Sequence, residues 1–387
     1  MIYLDNSGTT KQYPEVTSVM VKHMEEVFGN PSSLYQLGVD SEKSMKRARK
    51  QLQDALGLAG GKAYFTAGGT EADNMAIFGA AKAFGRRGKR IVTSSVEHPA
   101  VLECCKALEK QGFEVIYLDV DRKCRLDEAQ LESAINDETI LVSLMHVNNE
   151  AGTIMPVDKV KEIMKAKNAP GIFHTDAVQS FGKVPLCKTA DAVSVSGHKI
   201  HGPKGTGALW IRDKVNIPAF MVGGGQEDGK RSGTQNVPGI AGFGEASEIS
   251  EKTRAGEMAR IIEMRKYLME GLKAGLKDII INSPKEAGEK AGMCCGSVLN
   301  ITFMGTRGEV LLHTLEQDGI YVSTGSACSS NKKGQSHVLK AMGLKDKEIE
   351  GTLRFSFGRM NSMEEMDIVI DKVSGAVNRF RKLGSFR

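Results

Sequence analysis

Short β-type runs alternate with helical stretches from the N-terminus to about Ser250, and this alternation restricts the fold more than any other feature of the chain. Strands separated by helices pair into a mostly parallel sheet with helices on both faces. We therefore predict an α/β fold around a mostly parallel, seven-stranded sheet. The candidate strands are Ala63–Ala67, Arg90–Ser94, Glu114–Leu118, Ile140–His146, Gly171–Thr175, Ala192–Val195 and Ala208–Ile211.

Beyond Ser250 the texture of the sequence changes. A long charged helix is predicted over Gly244–Leu276, and shorter β runs and helices follow it. This mixture is typical of a smaller α+β domain. Because no long linker interrupts the chain, we predict two closely packed domains: a large α/β domain over residues 14–255, and a small domain formed by residues 1–13 and 256–387.

Composition narrows the classes of function. The 387 residues are 41% hydrophobic and 26% charged, as in ordinary globular proteins, and no apolar run reaches the length of a membrane span. The 52 basic and 47 acidic residues leave a net charge of only +5, which argues against a nucleic-acid partner. We expect no membrane and no direct nucleic-acid interaction.

The seven cysteines indicate the compartment. Their number is odd, and the N-terminus lacks the basic stretch and apolar core of a secretory signal, so we expect no disulfide framework. Two adjacent pairs, Cys104-Cys105 and Cys294-Cys295, lack the C-x-x-C spacing of zinc sites. We predict a reducing, cytoplasmic setting.

A glycine turn between a strand and a helix is the first candidate binding element. In Gly68-Gly69-Thr70 the glycines allow the backbone to approach a ligand closely, and the free N–H groups at the helix start favour a phosphate. The Thr70 hydroxyl adds a donor. The alternative is a helix that Thr70 simply caps.

Asp176 ends a buried strand, where an unpaired carboxylate is costly. A protonated pyridine nitrogen would be a suitable partner, and Asp176 would keep that ring electron-poor. A salt bridge to a basic residue is the alternative. Gln179 is close enough in the sequence to reach the phenolic oxygen of such a ring.

The stretch around Lys199 is the most specific. A strand of small residues delivers Ser196, His198 and Lys199 to its carboxyl end. A lysine there can be desolvated, which lowers its pKa and allows it to form an imine. Lys204 is a rival, but it lies in a predicted turn where solvent would keep it protonated. Ser196 and His198 could hold the same phosphate as Thr70.

His98 and Asn149 also follow candidate strands. His98 could stack on the ring or move protons, or could serve as a helix cap. Asn149 could hydrogen-bond to the phenolic oxygen or only form a turn. Each residue alone has such an alternative. Together the candidates supply a phosphate cup, an acid for the ring nitrogen, an imine-forming lysine and a ring-facing histidine, as in a pyridoxal phosphate site.

Cys328 lies in a run of small and polar residues that favours a surface loop over a packed element. A thiol on such a loop can reach a substrate, react as the thiolate and carry away the group that it takes. Beside a cofactor that labilises bonds in amino acids, it points to sulfur chemistry. An incidental exposed cysteine is the alternative.

Many stretches of this chain have the pattern of one family. They are Tyr3-Leu4-Asp5-Asn6, Gly29-Asn30-Pro31-Ser32-Ser33, Gly68-Gly69-Thr70-Glu71, Glu97-His98-Pro99, Asn148-Asn149-Glu150, Thr175-Asp176-Ala177-Val178-Gln179, Gly197-His198-Lys199-Ile200-His201-Gly202-Pro203-Lys204-Gly205, Arg231-Ser232-Gly233-Thr234-Gln235-Asn236, Gly325-Ser326-Ala327-Cys328 and Arg354-Phe355-Ser356. On these residues the chain resembles, nearly from end to end, the cysteine desulfurases of the NifS/IscS class, which are fold-type I pyridoxal phosphate enzymes of the class-V aminotransferase family.

The resemblance implies a role for each cofactor candidate. Lys199 would bind the cofactor as an imine, Asp176 would contact the ring nitrogen, and His98 would lie over the ring. The other cofactor contacts would be Gln179 and Asn149 near the phenolic oxygen, and Gly69, Thr70, Ser196 and His198 around the phosphate.

The resemblance also implies the partners. Thr234 would reach the phosphate of the neighbouring subunit in a homodimer. Arg354, with Asn149 beside it, would bind the substrate carboxylate, for which a bidentate guanidinium is well suited. Cys328 would be the nucleophile. Two departures from the family pattern stand out: Ser7-Gly8 replaces two alanines, and Tyr35 replaces a common histidine.

The implied reaction converts L-cysteine to L-alanine. Lys199 would move the α-proton, His98 would accept the substrate thiol proton, and the Cys328 thiolate would take the sulfur as a persulfide. A protein acceptor would then receive the sulfur for iron–sulfur assembly or for tRNA or cofactor thiolation. A transaminase or lyase of the same fold would need Lys199 and Asp176 but not Cys328. A sulfur-relay scaffold would bind the cofactor without turnover.

Overall fold

The computed structural model describes residues 1–325 and 335–384. Its helices are α1 (Pro14–Glu25), α2 (Gln36–Leu56), α3 (Gly69–Phe84), α4 (Pro99–Glu109), α5 (Glu128–Ala134), α6 (Val160–Ala166), α7 (Val237–Gly275), α8 (Gly308–Gln317), α9 (His337–Ala341), α10 (Asp346–Glu350) and α11 (Met363–Lys382). Its strands are β1 (Ile2–Tyr3), β2 (Gly61–Thr66), β3 (Arg90–Ser94), β4 (Glu114–Leu118), β5 (Thr139–Ser143), β6 (Ile172–Asp176), β7 (Ala192–Ser196), β8 (Gly207–Arg212), β9 (Ile279–Ile281), β10 (Val298–Phe303), β11 (Ile320–Tyr321) and β12 (Thr352–Ser356).

The largest sheet of the described residues has seven strands in the order β2-β8-β7-β6-β5-β3-β4. The strands from β7 to β4 pair in parallel, and β8 runs antiparallel to both of its neighbours. Successive residues of β6, such as Ile172 and Phe173, enter different apolar clusters, one on each face of the sheet. Burial on both faces explains why these strands read as apolar runs. The predicted α/β fold with a mostly parallel, seven-stranded sheet is confirmed.

The long helix α7 begins earlier than the sequence predicted. It spans Val237–Gly275, whereas the charged pattern placed its start at Gly244. The missed first turns contain proline and glycine residues that read as helix breakers. Proline is tolerated in the first turn of a helix. The Asn236 side chain caps this end by accepting a hydrogen bond from the Gly239 N–H at 3.1 Å.

Two small sheets lie beyond the large one. β9, β10 and β12 form an antiparallel sheet, and β1 pairs with β11. Under these sheets Ile2 and Leu4 share an apolar cluster with α7 and α11. In contrast, Val338 of α9 and Ile349 of α10 join the cluster of the large sheet. The division into residues 14–255 and the remainder stays a proposal, because α7 runs unbroken across it.

The parallel strands direct the predicted functional residues to one edge of the large sheet. β3, β5, β6 and β7 end, in turn, just before His98, Asn149, Gln179 and Lys199. Ligands of such sheets bind at the carboxyl ends of the strands. Within the two described ranges, no helix is long and apolar enough to cross a membrane.

Candidate active site

A cavity of about 200 Å³ lies at this edge of the sheet. The ends of the parallel strands form one side of it. The other side is formed by β12 and by the residues just before and after the undescribed segment 326–334. Most residues predicted from the sequence line it: Gly69, Thr70, His98, Asn149, Asp176, Gln179, Ser196, His198, Lys199 and Arg354.

One end of the cavity is rich in hydrogen-bond donors. The helix α3 begins at Gly69 without a side-chain cap, so the backbone N–H groups of its first turn have no intrahelical partner. Thr70 therefore does not cap the helix, which was the alternative left open by the sequence. Glycine is needed nearby, because a Cβ on Gly207 would lie 2.5 Å from the carbonyl carbon of Gly68. Ser196 completes this end.

His198 lies beside the same donors. Its Nδ1 is 3.1 Å from the Thr9 hydroxyl. Burial first, and then the nearby Lys199, lower the pKa of His198 to about 4. The imidazole is therefore neutral at physiological pH and can donate one hydrogen bond without adding a charge.

Lys199 is held by backbone carbonyl groups. It ends a single 3₁₀ turn that follows β7, and its Nζ donates to the carbonyl oxygens of Ser7 at 2.5 Å and Gly8 at 2.7 Å. The departure from the family pattern at these two positions therefore lies in direct contact with the lysine. Lys204, the rival imine-forming lysine, is exposed.

Asp176 is buried at the end of β6. Its Oδ1 accepts a hydrogen bond from the Val178 N–H at 2.9 Å. Burial raises the pKa of Asp176 to about 6, against the opposing effects of that N–H and of Lys199. Among the described residues no basic side chain forms a salt bridge with Asp176, so the alternative of a structural ion pair is not what the geometry shows.

A second buried acid, which the sequence analysis missed, lies next to Asp176. Asp73 of α3 lines the cavity, and its Oδ1 has no hydrogen-bond partner. Burial, and then repulsion from Asp176, raise the pKa of Asp73 well above its usual value. Behind it the buried His174 is bonded to Ser143 and Ser194, each at 2.9 Å. This end of the cavity therefore favours a single negative charge over two.

His98 is a helix cap that also lines the cavity. Its Nδ1 accepts a hydrogen bond from the Ala100 N–H at 3.1 Å and so caps α4, while the ring also lines the cavity. Because Nδ1 accepts, the proton of the neutral ring is on Nε2. Burial first, then Lys199 and His337, lower the pKa of His98 to about 4. The neutral ring therefore has an N–H donor at Nε2, and it can take up a proton only at Nδ1, by releasing the Ala100 N–H.

Arg354 lies on β12 at the opposite side of the cavity. Its guanidinium donates to Asp5 Oδ1 at 2.7 Å and to the carbonyl oxygen of Asn149 at 3.1 Å. Its buried Nε has no hydrogen-bond partner among the described residues. Arg354 therefore forms a buried salt bridge with Asp5 and has one donor available beside it.

Glu150 is a further cavity residue to which the sequence analysis assigned no role. Its Oε2 accepts a hydrogen bond from the Ser336 hydroxyl at 2.6 Å, and a Cβ on Gly325 would lie 2.7 Å from the same oxygen. Burial raises the pKa of Glu150 to about 7, although Ser336 and Arg354 oppose the shift. Gly325 and Ser336 stand immediately before and shortly after the segment that includes Cys328.

Cys328 and Thr234 are the remaining predicted site residues. Cys328 lies outside the described residues, so its predicted role stays a prediction. Thr234 is exposed and does not line the cavity of its own chain. Tyr35, the other departure from the family pattern, is also exposed and precedes α2.

Comparisons with known proteins agree on one family. The family model described as aminotransferase class-V matches residues 2–369. Cysteine desulfurase IscS of Methanosarcina thermophila is 44% identical over 99% of this chain and 93% of its own length. A solved structure titled NifS-like protein is 36% identical, with a TM-score of 0.89 over 98% of this chain and 99% of its own. A second, SspA in complex with cysteine, is 31% identical, with a TM-score of 0.78 over 94% and 100%.

Proposed function

The chain belongs to the class-V aminotransferase family and, within it, to the cysteine desulfurases, and we propose that it converts L-cysteine to L-alanine with bound pyridoxal phosphate and keeps the sulfur on Cys328 as a persulfide. The observation that carries the proposal is that Lys199, Asp176 and Arg354 line one cavity with the first turn of α3. These groups are complementary to an aldehyde, a ring nitrogen, a carboxylate and a phosphate, respectively.

The cavity residues fit pyridoxal phosphate. The first turn of α3, with Thr70, Ser196 and His198, supplies backbone, hydroxyl and imidazole donors for the phosphate. Asp176 accepts only one backbone N–H, and a protonated ring nitrogen would offset the cost of its burial. When bound, this cofactor supplies an electron-poor ring that stabilises negative charge at the α-carbon of an amino acid.

Arg354, Lys199 and His98 would act on the substrate. The buried Nε of Arg354 would donate to the substrate carboxylate, with Asn149 beside it. The Lys199 amine, near the carbonyl groups of Ser7 and Gly8, would move the α-proton. His98 is neutral above pH values of about 4 and would accept the thiol proton of cysteine at Nδ1, which requires that Nδ1 releases the Ala100 N–H.

Cys328 would take the sulfur. Its thiolate attacks the sulfur atom of the substrate and forms a sulfur–sulfur bond, while the carbon–sulfur bond breaks. The electron pair of the broken bond stays with the substrate carbon, which takes up a proton and leaves as alanine. A protein acceptor would then remove the sulfur from Cys328, in iron–sulfur assembly or in tRNA or cofactor thiolation.

The substitution Cys328→Ala tests this proposal. We expect alanine formation from L-cysteine to fall by roughly 10²–10⁴-fold, the range typical of a removed catalytic group, while the absorbance of the bound cofactor stays. Ser330→Ala, in the same stretch of sequence, is the matched control and should keep full activity. If Cys328→Ala kept its turnover, the enzyme would be a transaminase or lyase of this fold.

A homodimer would complete the site. Apolar side chains are exposed around the end of α1 and the start of α2, including Met24, Phe28 and Leu34. Exposed Phe220 also lines an open groove against Thr70 and His198 at the donor-rich end of the cavity. We propose that a second copy covers these residues and that its Thr234 adds a hydroxyl donor for the phosphate. Thr234→Val should then weaken binding of pyridoxal phosphate without changing the dimer measured by light scattering.

We also propose a cytoplasmic location. The six cysteines within the described residues are free thiols and form no disulfide. Free thiols persist in a reducing compartment.

A further inference from the structure

Gln179 and Lys183 lie in the turns that follow β6. Backbone hydrogen bonds from the Phe181 N–H to the Ala177 carbonyl at 2.8 Å and from the Val184 N–H to the Ser180 carbonyl at 3.0 Å hold these turns, and Gly182 between them has a φ of +73°. The folded turns bring the two side chains together. The Lys183 ammonium accordingly donates to Oε1 of Gln179 at 3.0 Å.

The two partners of Gln179 determine which way its amide points. An ammonium group is only a donor, and a backbone carbonyl is only an acceptor. Lys183 therefore selects the amide oxygen, and the Ser7 carbonyl selects the amide nitrogen, whose Nε2 donates to it at 3.0 Å. A flipped amide would place two donors against each other on one side and two acceptors on the other.

We infer that Lys183 is a positioning residue that holds the amide of Gln179 so that its remaining N–H is offered to the cavity. Ser7 uses one of the two N–H bonds of Nε2, which leaves the other for the cavity that Gln179 lines. The inference rests on the proposed function, in which the phenolic oxygen of pyridoxal phosphate lies near Gln179. An N–H donor there stabilises negative charge on that oxygen.

The charge of Lys183 has an unusual environment. Within the described residues no carboxylate forms a salt bridge with it. Burial and the nearby Arg354 lower the pKa of Lys183, and the thiol of Cys295 opposes them. A hydrogen bond with Cys294, followed by the charge of Lys183 and contacts with Ser297, lowers the pKa of Cys295 to about 6. In this part of the chain the Lys183 ammonium is therefore held by the amide oxygen of Gln179 and not by a carboxylate.

Lys183→Met is the test, with Lys188→Met as the matched control on an exposed lysine of the same region. The readout is the pH midpoint of the visible absorbance of pyridoxal phosphate bound to the protein. Loss of the donor destabilises the deprotonated form of the cofactor, so we expect the midpoint to rise by about one pH unit in Lys183→Met, which is a tenfold change in the proton equilibrium. Lys183→Arg, which keeps a donor, should restore the original midpoint, and Lys188→Met should not move it.

A double-mutant comparison separates positioning from a general structural effect. Gln179→Leu should raise the midpoint alone, and adding Lys183→Met to it should change nothing further, because Lys183 acts through Gln179. A wild-type midpoint in Lys183→Met, or an additional shift in the double variant, would overturn the inference. If Lys183→Met does not fold, Lys183→Arg and Gln179→Leu decide, since the first must keep the midpoint and the second must shift it. Failure of the proposed function would be visible before these variants are made, because the wild-type protein would then bind no cofactor or form no alanine.

Discussion

The cavity has two unlike walls. The strand-end wall consists of residues that follow strands of the large sheet, with Asp176 and Lys199 at the ends of strands buried along their whole length. The loop wall consists of Arg354, Glu150 and Ser336, which come from separate parts of the chain. The first wall is positioned by the backbone of the large sheet, whereas the residues of the second, including Arg354 on β12, are linked to distant parts of the chain by side-chain hydrogen bonds.

Because the two walls are held in different ways, we expect their residues to have different functions. Arg354 reaches Asp5 across 349 positions of the sequence, and Glu150 reaches Ser336 across 186. Each of these contacts depends on one or two hydrogen bonds, while a strand end is supported by a whole sheet. We therefore expect substitutions in the strand-end wall to abolish cofactor chemistry, and substitutions in the loop wall to change substrate handling or pH response.

The largest expected effect lies in the strand-end wall. Lys199→Ala removes the amine that would hold the cofactor and move the α-proton, so alanine formation should fall by roughly 10³-fold or more. Lys204→Ala, which changes the exposed lysine five positions on, is the control and should keep both activity and cofactor absorbance. If Lys204→Ala lost activity and Lys199→Ala kept it, Lys204 and not Lys199 would be the imine-forming lysine.

The next effect separates the two walls. Arg354→Lys keeps the charge near Asp5 but loses the planar donor set, so kcat/KM for L-cysteine should fall by roughly 10–100-fold, mainly through a higher KM. The affinity for pyridoxal phosphate should not change. Arg122→Lys, at an arginine bonded to Glu348 on the surface, is the control. An equal loss of cofactor affinity in Arg354→Lys would show that the walls do not act separately.

A smaller effect tests how closely the strand-end wall is packed. Gly207→Ala would place a methyl group 2.5 Å from the carbonyl carbon of Gly68, just before the donor-rich turn. We expect the free energy of unfolding to fall by about 1–3 kcal/mol, as in overpacked cores, and cofactor binding to weaken. Gly256→Ala is the control, because nothing lies within 4 Å of its new methyl group and helix α7 should gain about 0.5–1 kcal/mol. Equal stability of the two variants in urea unfolding would contradict the close packing.

The smallest effect concerns the pH response of the loop wall. Burial raises the pKa of Glu150 from 4.5 to about 7, so the folded protein binds this proton more tightly than the unfolded chain does. Stability is therefore lost as the pH rises from about 4.5 to 7. Glu150→Gln removes this loss. Between pH 4.5 and 7 the free energy of unfolding of the variant should therefore rise relative to that of the wild type, by up to about 3 kcal/mol.

Glu348 gives a control of the opposite sign for that pH profile. The backbone N–H of Lys345 is the main cause that lowers the pKa of Glu348, and Arg122 contributes. Its ionised form is therefore stabilising, so Glu348→Gln should lose stability relative to the wild type above about pH 4.5 and match it at lower pH. Parallel profiles for Glu150→Gln and the wild type between pH 4.5 and 7 would show that Glu150 does not titrate in this window.

The strand-end wall was open to prediction from local sequence. Each of its residues follows a recognisable strand by a few positions, and the parallel strands bring those ends to one edge. Asp73 was missed because nothing local distinguishes it from any polar residue in the first turns of a helix. Its orphan oxygen and its repulsion from Asp176 exist only once α3 is packed against the sheet.

The loop wall was open to prediction only in part. Arg354 was identified through the family resemblance, but its ion pair with Asp5 was not expected as a feature of the cavity. Glu150 stood in a quoted motif without a role, and Ser336 had no sequence signal at all. Contacts between residues so far apart depend on how the small sheets dock on the large one.

The amino-acid order alone therefore determined the mostly parallel sheet and the residues at its strand ends, because the period of burial and the turn chemistry are local properties of a chain. Tertiary packing alone decided which buried acids carry a charge, which way the amide of Gln179 points, and what holds Arg354 and Glu150 in place. The physical reason is that desolvation and hydrogen bonding over long sequence distances arise only when separate elements come together.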